Sequence, residues 1–482
     1  MPKINLDKLT IDKIRKGLDA GDFSSEEITT AYLEQIKKDD TNSFISINEQ
    51  AISEAKEADK KIKQGKASLF TGLPIAVKDV ILVKGSQTTA GSKMLADYQA
   101  TYTATAIQKL QKQSVVILGK TNCDEFAMGT SNENSAYGPV LNPRDKTRVP
   151  GGSSGGSAAA IAANLAPISL GTDTGGSVRQ PAAFCGVVGL KPSYGRISRY
   201  GLIAMTSSLD QIGPFSNTVK DSAYLLQAMA GFDELDATSS RQEADDYIAD
   251  IEKDVKSLRI GVPKEYFSDH LDKEIKQAIE AKIKVLEKEG FQIKQVSLPY
   301  TDYALAAYYL IVPAEVSSNL ARYDGILYGL RPDKEMTLDH WYKTVRSQGF
   351  GAEVKRRIIL GTFVLSAGYY DAYYKKAQKV RTLIKNDFAK AFDEVDVLLT
   401  PVTPSTAFKL GEKINDPLSL YLADIFTVGA NIAGICGLAM PIAEDKDNLP
   451  IGLQLLAAPF KESNLFKLGN YIEKFTQLNK FK

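Results

Sequence analysis

Apolar runs alternate with polar loops along most of this chain, and their order predicts an α/β protein. In the first half, the runs "LPIAV", "VVILG" and "APISLG" are typical of buried strands, and Gly/Ser-rich loops separate them. Further along, "LRIGV", "LDKEIKQAIEAKIKVLEKEG" and "FQIKQV" predict a strand, an amphipathic helix that Gly290 closes, and a second strand. The runs "VDVLLTPVTP" and "GLQLLAAPF" near the C-terminus return to a strand-like pattern.

No repeat, low-complexity tract or flexible linker divides the chain, so we expect a single domain over residues 1–482. A helical N-terminal segment is followed by a core of strands and Gly/Ser-rich loops, then a mostly helical region, then a C-terminal return to the sheet. These four regions are 1–60, 61–215, 216–390 and 391–482.

Two helical stretches carry specific expectations. Ser24 and Glu27 have the spacing of a capping box, in which the serine caps the helix and the glutamate binds back to it. Residues 365–392, "LSAGYYDAYYKKAQKVRTLIKNDFAKAF", have the pattern of a long helix. Because aromatic residues at helical spacing usually face a core, the tyrosines of this stretch are expected to pack inside the protein.

Composition and charge narrow the class of protein. With 44% hydrophobic and 24% charged residues, the chain has the composition of an ordinary globular protein. Its net charge of +1 indicates neither a nucleic-acid nor a membrane partner, although a local basic patch stays possible. The three cysteines are far apart and form no CxxC pair, which disfavours a disulfide scaffold or a zinc ribbon. No apolar stretch reaches the length of a membrane span, and we expect a cytoplasmic protein.

The loop "GGSSGGS", residues 151–157, admits three interpretations. A flexible linker is disfavoured because the loop runs straight into an alanine-rich, helix-forming segment. A phosphate loop would need a lysine after the glycines, and none follows. Ser153 and Ser154 both fit the G-x-S-x-G pattern of a nucleophile elbow, but the preceding "NPRDKTRVP" is polar rather than a buried strand. The chain also offers only two histidines as a base, His270 and His340, and both have the context of surface or capping residues.

Lysine is the alternative base for a serine nucleophile. It acts only when its surroundings disfavour the ammonium form, because an ordinary lysine is almost entirely protonated at neutral pH. Lys78 follows the apolar run Leu73 to Val77 and precedes Val80 and Ile81, which favours burial. A surface lysine paired with Asp79 fits this stretch equally well.

A second loop, within "SLGTDTGGSVRQPAAFCGVVGLKP", places a serine directly after small residues. The backbone N–H groups of Thr174, Gly175, Gly176 and Ser177 can converge on one point, as an oxyanion hole requires. The alternative is a tight turn. For the neighbouring residues Asp173 and Arg179, we favour that simpler interpretation, as local stabilisers of the turn.

Three motifs in this order, "PIAVKD", "GGSSGGSAAA" and "GTDTGGSVRQPAAFCGVVGLKPSYGRIS", resemble the amidase signature family over nearly the whole chain. The resemblance implies an α/β amidase signature fold, with a large mixed central β-sheet covered by helices on both faces. It further implies that Ser177 is the acyl-forming nucleophile, that Ser153 is a cis serine that relays the proton, and that Lys78 is the base. The oxyanion hole would be the backbone of residues 174–177.

Other stretches are similar to the glutaminase subunits of tRNA-dependent amidotransferases within that family. They are "CDEFAMGTSNENSAYGPVLNPRD", "EVKRRIILGTFVLSAGYYDAYYKKAQKVR" and "SLYLADIFTVGANIAGICGLAMP". One departure is "GTSNENS", where the family pattern is nearer "GSSTENS". The resemblance implies glutamine as substrate. Arg357 would bind its α-carboxylate, Asp424 would face its α-amino group, and Tyr308 is a third candidate for this pocket.

The same resemblance implies a complex with two other proteins, a tRNA-binding kinase and transamidase (the B subunit) and a small C subunit. ATP and Mg would be used by the partner, and tRNA would be bound mainly through it. For this chain we expect no bound cofactor and no metal.

Two alternatives remain open. A free-standing amidase of the same family would use the same three catalytic residues on small amides. A non-enzymatic module that binds an anion through the Gly/Ser loops would leave Lys78 without a role.

Overall fold

The computed structural model describes residues 4–268, 271–333 and 335–476, and eleven strands of this part of the chain form one mixed sheet. The strands are β1 (Phe44–Ile47), β2 (Pro74–Lys78), β3 (Val116–Thr121), β4 (Ile168–Asp173), β5 (Val188–Lys191), β6 (Gln211–Ser216), β7 (Arg259–Pro263), β8 (Gln292–Val296), β9 (Val397–Pro401), β10 (Cys436–Glu444) and β11 (Pro450–Ala457).

The same described residues form sixteen α-helices, none of which has the length and apolar character needed to cross a membrane. The helices are α1 (Ile11–Ala20), α2 (Ser25–Lys37), α3 (Ala51–Lys63), α4 (Thr105–Lys112), α5 (Gly155–Ala162), α6 (Arg179–Cys185), α7 (Val219–Met229), α8 (Tyr247–Asp250), α9 (Lys273–Lys288), α10 (Ala304–Asn319), α11 (Leu338–Gly349), α12 (Ala352–Leu365), α13 (Lys376–Glu394), α14 (Pro417–Tyr421), α15 (Val428–Ala433) and α16 (Glu462–Thr476).

The strand order is β1-β3-β2-β4-β6-β5-β10-β11-β9-β7-β8, so the last two strands of the chain lie in the interior of the sheet. The pairs of β2 with β3 and β4, and of β7 with β8 and β9, are parallel, and the other pairs are antiparallel. Each apolar run that predicted a strand forms one. The predicted helix before Gly290 is α9, and Gly290 has a φ of +88° just after it.

Helices cover both faces of the sheet, as predicted. Neighbouring residues of a strand point to opposite faces. In β10, an added Cβ at Gly437 would meet Arg179 of α6, whereas the next residue, Leu438, lies against Gly469 of α16. The two helices therefore enclose this strand from opposite sides, and the strand is buried up to Ile442.

The N-terminal segment departs from the all-helical prediction. The capping box is present: Ser24 accepts a hydrogen bond from the Glu27 N–H, and the Glu27 carboxylate accepts one from the Ser24 N–H. However, residues 44–47 form β1, which pairs antiparallel with β3. This strand has only four residues and polar neighbours on both sides, so it carried too little periodicity to be recognised.

The prediction for residues 365–392 was wrong in two respects. The helix is interrupted, because α12 ends at Leu365, Gly368 has a φ of +84°, and a π-helical turn at Asp371–Lys375 precedes α13. The tyrosines are also not core residues, since Tyr369, Tyr370 and Tyr373 are each about two-fifths exposed. The rings of Tyr369 and Tyr373 pack on each other and on Phe363 instead.

The parallel strands determine where the candidate site forms. Strands β2 and β4 are adjacent and parallel, so their carboxyl ends lie at the same edge of the sheet. Lys78 ends β2, and Asp173 ends β4 just before the loop with Ser177. Helix α5, which follows the "GGSSGGS" loop, packs on these two strands. Three segments far apart in sequence thus converge at one edge.

Candidate active site

Lys78 is fully buried at the end of β2 and is surrounded by hydroxyl groups. Its Nζ lies 2.8 Å from the Oγ of Ser153, 2.8 Å from the Oγ of Ser154 and 2.8 Å from the Oγ1 of Thr172. The Ser154 hydroxyl also bonds the backbone of Thr172, so the loop and β4 are joined around the amine. Lys78 and Ser153, predicted as base and relay, are therefore in direct contact.

The surface alternative for Lys78 does not match the structure. Asp79, its predicted partner in that alternative, is itself buried and pairs with Lys120 of β3, at 3.2 Å between Nζ and Oδ1. Asp79 also accepts hydrogen bonds from the N–H and hydroxyl of Thr89. No carboxylate of the described residues lies at ion-pair distance from Lys78.

Burial lowers the pKa of Lys78 to about 8, from an ordinary value of 10.5. The buried thiol of Cys123 and the carboxyls of Asp124, Asp173 and Asp210 act in the opposite direction from a greater distance. With a pKa near 8, roughly a tenth of the amine is neutral at pH 7, compared with fewer than about one in a thousand for an ordinary lysine. The site thus holds a lysine that can accept a proton.

The glycines of the "GGSSGGS" loop allow its close packing. The peptide bond between Gly152 and Ser153 is cis, which matches the cis serine implied by the resemblance. A Cβ at Gly151 would come within 2.8 Å of the Pro181 Cα, and one at Gly156 within 2.4 Å of the Asn122 carbonyl oxygen. Larger residues would therefore displace the loop from its contact with α6, which follows Ser177, and from the sheet edge.

Asp173 holds the shape of the second loop. Its carboxylate accepts hydrogen bonds from the N–H groups of Gly176 and Val178 and pairs with Arg179 through two nitrogens, at 3.0 Å each. Arg179 also binds oxygens of three residues in the last quarter of the chain, Thr427, Asn431 and Gln454. The pair does stabilise the turn, but the interpretation as purely local was wrong, because Arg179 joins the loop to distant elements.

The backbone N–H groups predicted to form the oxyanion hole are not all free to bind a substrate oxygen. The Gly176 N–H donates to Asp173 at 2.9 Å, so that predicted donor is already engaged. The N–H groups of Thr174, Gly175 and Ser177 have no hydrogen-bond partner among the described residues. Gly175 is held in place by its carbonyl oxygen, which accepts a hydrogen bond from Thr427 at 2.6 Å. Of the four predicted donors, the N–H groups of Thr174, Gly175 and Ser177 are therefore still available in the described part of the chain.

Ser177 is 9% exposed, and its hydroxyl makes no hydrogen bond within the described part of the chain. The contacts of the predicted relay thus extend from Lys78 to Ser153 but not from Ser153 to Ser177. In enzymes without substrate, such catalytic hydrogen bonds are often long and tighten when the substrate binds. The nucleophile role of Ser177 stays a prediction.

Arg357 lies on α12 with 3% exposure, and its guanidinium is bound on one side only. The Nε donates to the Oε1 of Glu353 at 2.8 Å. The two terminal nitrogens, Nη1 and Nη2, donate no hydrogen bond within the described residues. The aromatic rings of Tyr309 and Tyr421 stack at 3.9 Å, and their centroids lie 5.5 Å and 5.6 Å from the Arg357 Cζ. A planar pair of donors is thereby held ready for a carboxylate.

Asp424 lies in a 3-10 turn after α14 and is 7% exposed. Its Oδ2 accepts a hydrogen bond from the Thr130 hydroxyl at 2.9 Å, and its Oδ1 has no partner in the described residues. Burial raises the pKa of this carboxyl to about 7, although the Thr130 bond and the charge of Arg357 oppose the shift. Thr130 belongs to the "GTSNENS" stretch, so that departure from the family pattern keeps the hydroxyl that binds Asp424.

Tyr308 lies on α10, and its hydroxyl lies against residues 174–177, which include the predicted nucleophile Ser177 and are called the nucleophile loop below. A Cβ at Gly175 would come within 2.4 Å of this oxygen, so a larger residue there would have to displace the buried tyrosine. Burial raises the pKa of Tyr308, and the charges of Arg357 and Asp424 also act on it. Tyr308 thus contacts the loop that carries Ser177 and lies within electrostatic range of Arg357 and Asp424.

Sequence reasoning missed four residues of this site. Ser154 and Thr172 contact the Lys78 amine, Thr130 binds Asp424, and Glu353 binds Arg357. A usable signal existed for Ser154, which lies in the marked loop, and for Glu353, which is four residues before Arg357 on a predicted helix. Contacts of the other two depend on the tertiary fold.

Neither histidine belongs to the site as described. His340 is exposed on α11, and His270 lies outside the described residues.

Within the described ranges, no group of three or more His, Cys, Asp or Glu side chains could hold a metal ion. All three cysteines are buried free thiols.

Comparison with known proteins gives a family and several named relatives. Residues 27–466 match the model of the Amidase family. The A subunit of glutamyl-tRNA(Gln) amidotransferase from Koribacter versatilis is 54% identical over 474 residues, covering 98% of this chain and 99% of that protein. A Coxiella burnetii protein with the same name is 52% identical over 474 residues, covering 98% of each.

Solved structures show the same similarity in three dimensions. The crystal structure of the glutamyl-tRNA(Gln) amidotransferase A subunit from Thermotoga maritima is 41% identical and aligns with a TM-score of 0.82, covering 98% of this chain and 96% of that one. The native peptide amidase of Stenotrophomonas maltophilia is 28% identical and aligns with a TM-score of 0.83, covering 98% and 97%. The same fold therefore occurs both in an amidotransferase subunit and in a peptide amidase.

The pKa of Lys78 leads to a prediction about pH. The rate at which a small, uncharged acylating reagent modifies Ser177 should rise about tenfold per pH unit below about 8 and level off above it, because only the neutral amine accepts a proton. The measurement is the acylation rate between about pH 6 and 9, and Lys78→Arg, which stays protonated, is the control. A wild-type rate that does not change over this range would exclude Lys78 as the base.

Proposed function

This chain belongs to the Amidase family, and we propose that it is the glutamine-hydrolysing A subunit of a glutamyl-tRNA(Gln) amidotransferase. In this proposal it releases ammonia from the side-chain amide of glutamine. A partner protein then uses the ammonia and ATP to convert Glu-tRNA(Gln) to Gln-tRNA(Gln). Relatives with that name match nearly the whole chain at more than half of the aligned positions.

One observation carries the choice of glutamine. Among the described residues, the buried guanidinium of Arg357 keeps Nη1 and Nη2 free, and the buried carboxyl of Asp424 keeps Oδ1 free. The charges of both act on Tyr308, whose hydroxyl lies against Gly175. Free glutamine carries a carboxylate and an ammonium on one carbon. Arg357 supplies the planar pair of donors that suits the carboxylate, and Asp424 supplies an acceptor for the ammonium. A simple amide would need neither of these two buried groups, whose hydrogen bonding within the described residues is incomplete.

The proposed chemistry follows the contacts of the buried amine. Neutral Lys78 accepts the Ser153 proton while Ser153 accepts the Ser177 proton, and the Ser177 oxygen attacks the amide carbon of glutamine. The N–H groups of Thr174, Gly175 and Ser177, unpaired among the described residues, are the candidates that stabilise the oxyanion that forms, and one such donor contributes roughly 3 to 4 kcal/mol in related sites.

Collapse of the tetrahedral intermediate breaks the C–N bond. The proton returns through Ser153 to the departing nitrogen, ammonia leaves, and a γ-glutamyl ester stays on Ser177. Water then attacks the ester, and its proton takes the same path to Lys78. Glutamate leaves, the three side chains regain their starting protonation states, and no redox step or metal is needed in this chain.

The partners in this proposal are the B subunit, which binds tRNA and activates it with ATP and Mg, and the small C subunit. The relatives are each named as one subunit of an amidotransferase, which means that they belong to multi-subunit enzymes. The charge of this chain is close to zero, with 59 basic and 58 acidic residues. We therefore place most phosphate contacts with the tRNA on the partner.

An ammonia assay tests the proposal. The chain is incubated, alone and with the co-expressed B and C subunits, with glutamine or with simple aryl amides. We expect ammonia release from glutamine that Ser177→Ala abolishes, and amidation of Glu-tRNA(Gln) only in the complex with ATP. Hydrolysis of aryl amides with no release from glutamine under any of these conditions would instead identify a free-standing amidase.

The pocket residues lead to a second prediction. Arg357→Ala or Asp424→Ala should reduce kcat/KM for glutamine by a factor of about ten to several hundred, since a lost charged hydrogen bond is worth roughly 1.5 to 3 kcal/mol. Acylation of Ser177 by a small uncharged reagent is the control and should change little. An equal loss with both reagents would mean that these side chains maintain the fold or the catalytic centre, and the pocket would lie elsewhere.

A further inference from the structure

Glu353 binds the guanidinium on which the proposed glutamine pocket depends. It lies one turn before Arg357 on α12, and at this spacing two side chains lie on the same face of a helix. Its Oε1 accepts hydrogen bonds from the Arg357 Nε at 2.8 Å and from the Tyr421 hydroxyl at 2.8 Å. Its Oε2 contacts Arg356. Glu353 is 6% exposed, so this carboxylate is a buried partner rather than a surface one.

The nitrogen that Glu353 occupies determines what Arg357 can still bind. A guanidinium has two edges that match a carboxylate, one formed by Nε with one Nη and the other formed by Nη1 with Nη2. Because Glu353 takes Nε alone, the Nη1 and Nη2 edge stays without a partner among the described residues. Glu353 thus neutralises the charge of Arg357 through Nε, and the edge formed by Nη1 and Nη2 can bind a second carboxylate.

The rings beside the guanidinium are tied to the same carboxylate. The stacked rings of Tyr309 and Tyr421 lie 5.5 Å and 5.6 Å from it, and Tyr421 is itself bonded to Glu353. The start of α12 is also held, because the Gly351 N–H donates to the Glu125 carboxylate at 2.8 Å. The Glu353 carboxylate of α12 therefore connects the ring of Tyr421 to the guanidinium of Arg357.

We propose that Glu353 is a positioning residue for glutamine recognition: it orients Arg357 so that the Nη1 and Nη2 edge receives the substrate α-carboxylate. This inference rests on the proposed function and adds to it a residue that does not touch the substrate. Without Glu353, Arg357 would keep its charge but lose its orientation and its buried counter-charge. Affinity for the α-carboxylate would fall, while chemistry at Ser177 would continue.

The test compares two substrates that differ only in the recognised group. Glutamine and 4-aminobutanamide, which is glutamine without its α-carboxylate, are assayed for ammonia release by the chain in complex with its partner proteins. For Glu353→Ala we expect the KM for glutamine to rise by about tenfold to a hundredfold, as for loss of a charged hydrogen bond, with kcat within about threefold of wild type. For 4-aminobutanamide, kcat/KM should stay within about threefold of wild type.

Two further variants separate positioning from a general structural role. Adding Glu353→Ala to Arg357→Ala should raise the KM for glutamine by no more than about twofold, because the group that Glu353 orients is already absent. Asp339→Ala is the matched control, since it removes another helical pair at the same spacing, that of Asp339 with Lys343 on α11. It should change the kinetics of neither substrate.

The outcomes distinguish this inference from the function on which it rests. If wild type releases no ammonia from glutamine, the proposed function fails, and the inference fails with it. If wild type is active, but Glu353→Ala impairs both substrates alike or has its full effect without Arg357, only the inference is overturned. Should Glu353→Ala not fold, Glu353→Gln decides by the same criteria, with a smaller rise in the KM for glutamine because the amide oxygen can still accept from Nε.

Discussion

The active site depends on one constraint: Lys78 is buried, and no carboxylate in the described part of the chain lies at ion-pair distance from it. Lys78 and Lys120 lie near the ends of two neighbouring parallel strands, and both are almost completely inaccessible. Lys120 has Asp79 beside it, whereas the hydrogen-bond partners of Lys78 among the described residues are all hydroxyl groups, which can also donate to a neutral amine. The fall in the pKa of Lys78 from 10.5 to about 8 corresponds to roughly 3 kcal/mol against the ammonium form. Because Asp79 pairs with Lys120, it does not neutralise Lys78, the candidate base.

The sheet and the helices hold this amine in reach of two loops. Parallel pairing of β2 with β4 aligns their carboxyl ends, and helix α5 presents the serine loop from the side. The nucleophile loop is fixed by Asp173 and Arg179, and Arg179 extends to Thr427 and Gln454 near the end of the chain. Because so many segments meet here, the site depends on the fold of nearly the whole chain.

The proposed glutamine pocket also contains buried groups whose hydrogen bonding is incomplete. Arg357 has its counter-charge on one edge, and Asp424 has a hydroxyl on one oxygen, so each is only partly satisfied. Buried charged groups that lack part of their hydrogen bonding are unfavourable until a ligand completes them. A substrate that brings both a carboxylate and an ammonium would complete both groups at once. Selectivity for an amino acid would then arise because its two charged groups complete the hydrogen bonding of both side chains.

The sequence allowed the strands and the motif loops to be predicted because their signals are local. An apolar run bounded by polar residues identifies a strand such as β2, and Ser24 with Glu27 identifies a helix start. Predictions failed where tertiary contacts determine the local structure or the exposure of a side chain. The four residues of β1 become a strand only by pairing with β3, and the exposed tyrosines after Gly368 stack on one another rather than on a core.

The same distinction explains the candidate site. Motifs were sufficient to mark Lys78, Ser153 and Ser177, but the partner of Asp79 could not be read from the chain, and neither could the use of the Gly176 N–H by Asp173. In the pocket, Arg357 and Asp424 were marked by resemblance, not by pattern. Their free edges follow from contacts with side chains that only the fold brings near.

Acid quenching during glutamine turnover tests directly whether Ser177 carries the acyl group while ammonia leaves. Peptide mapping by mass spectrometry should find a γ-glutamyl ester on the peptide with Ser177, formed in a burst that matches the first ammonia released. Ammonia release with the ester on Ser153 instead, or with no ester at a time resolution that captures the burst, would contradict the mechanism.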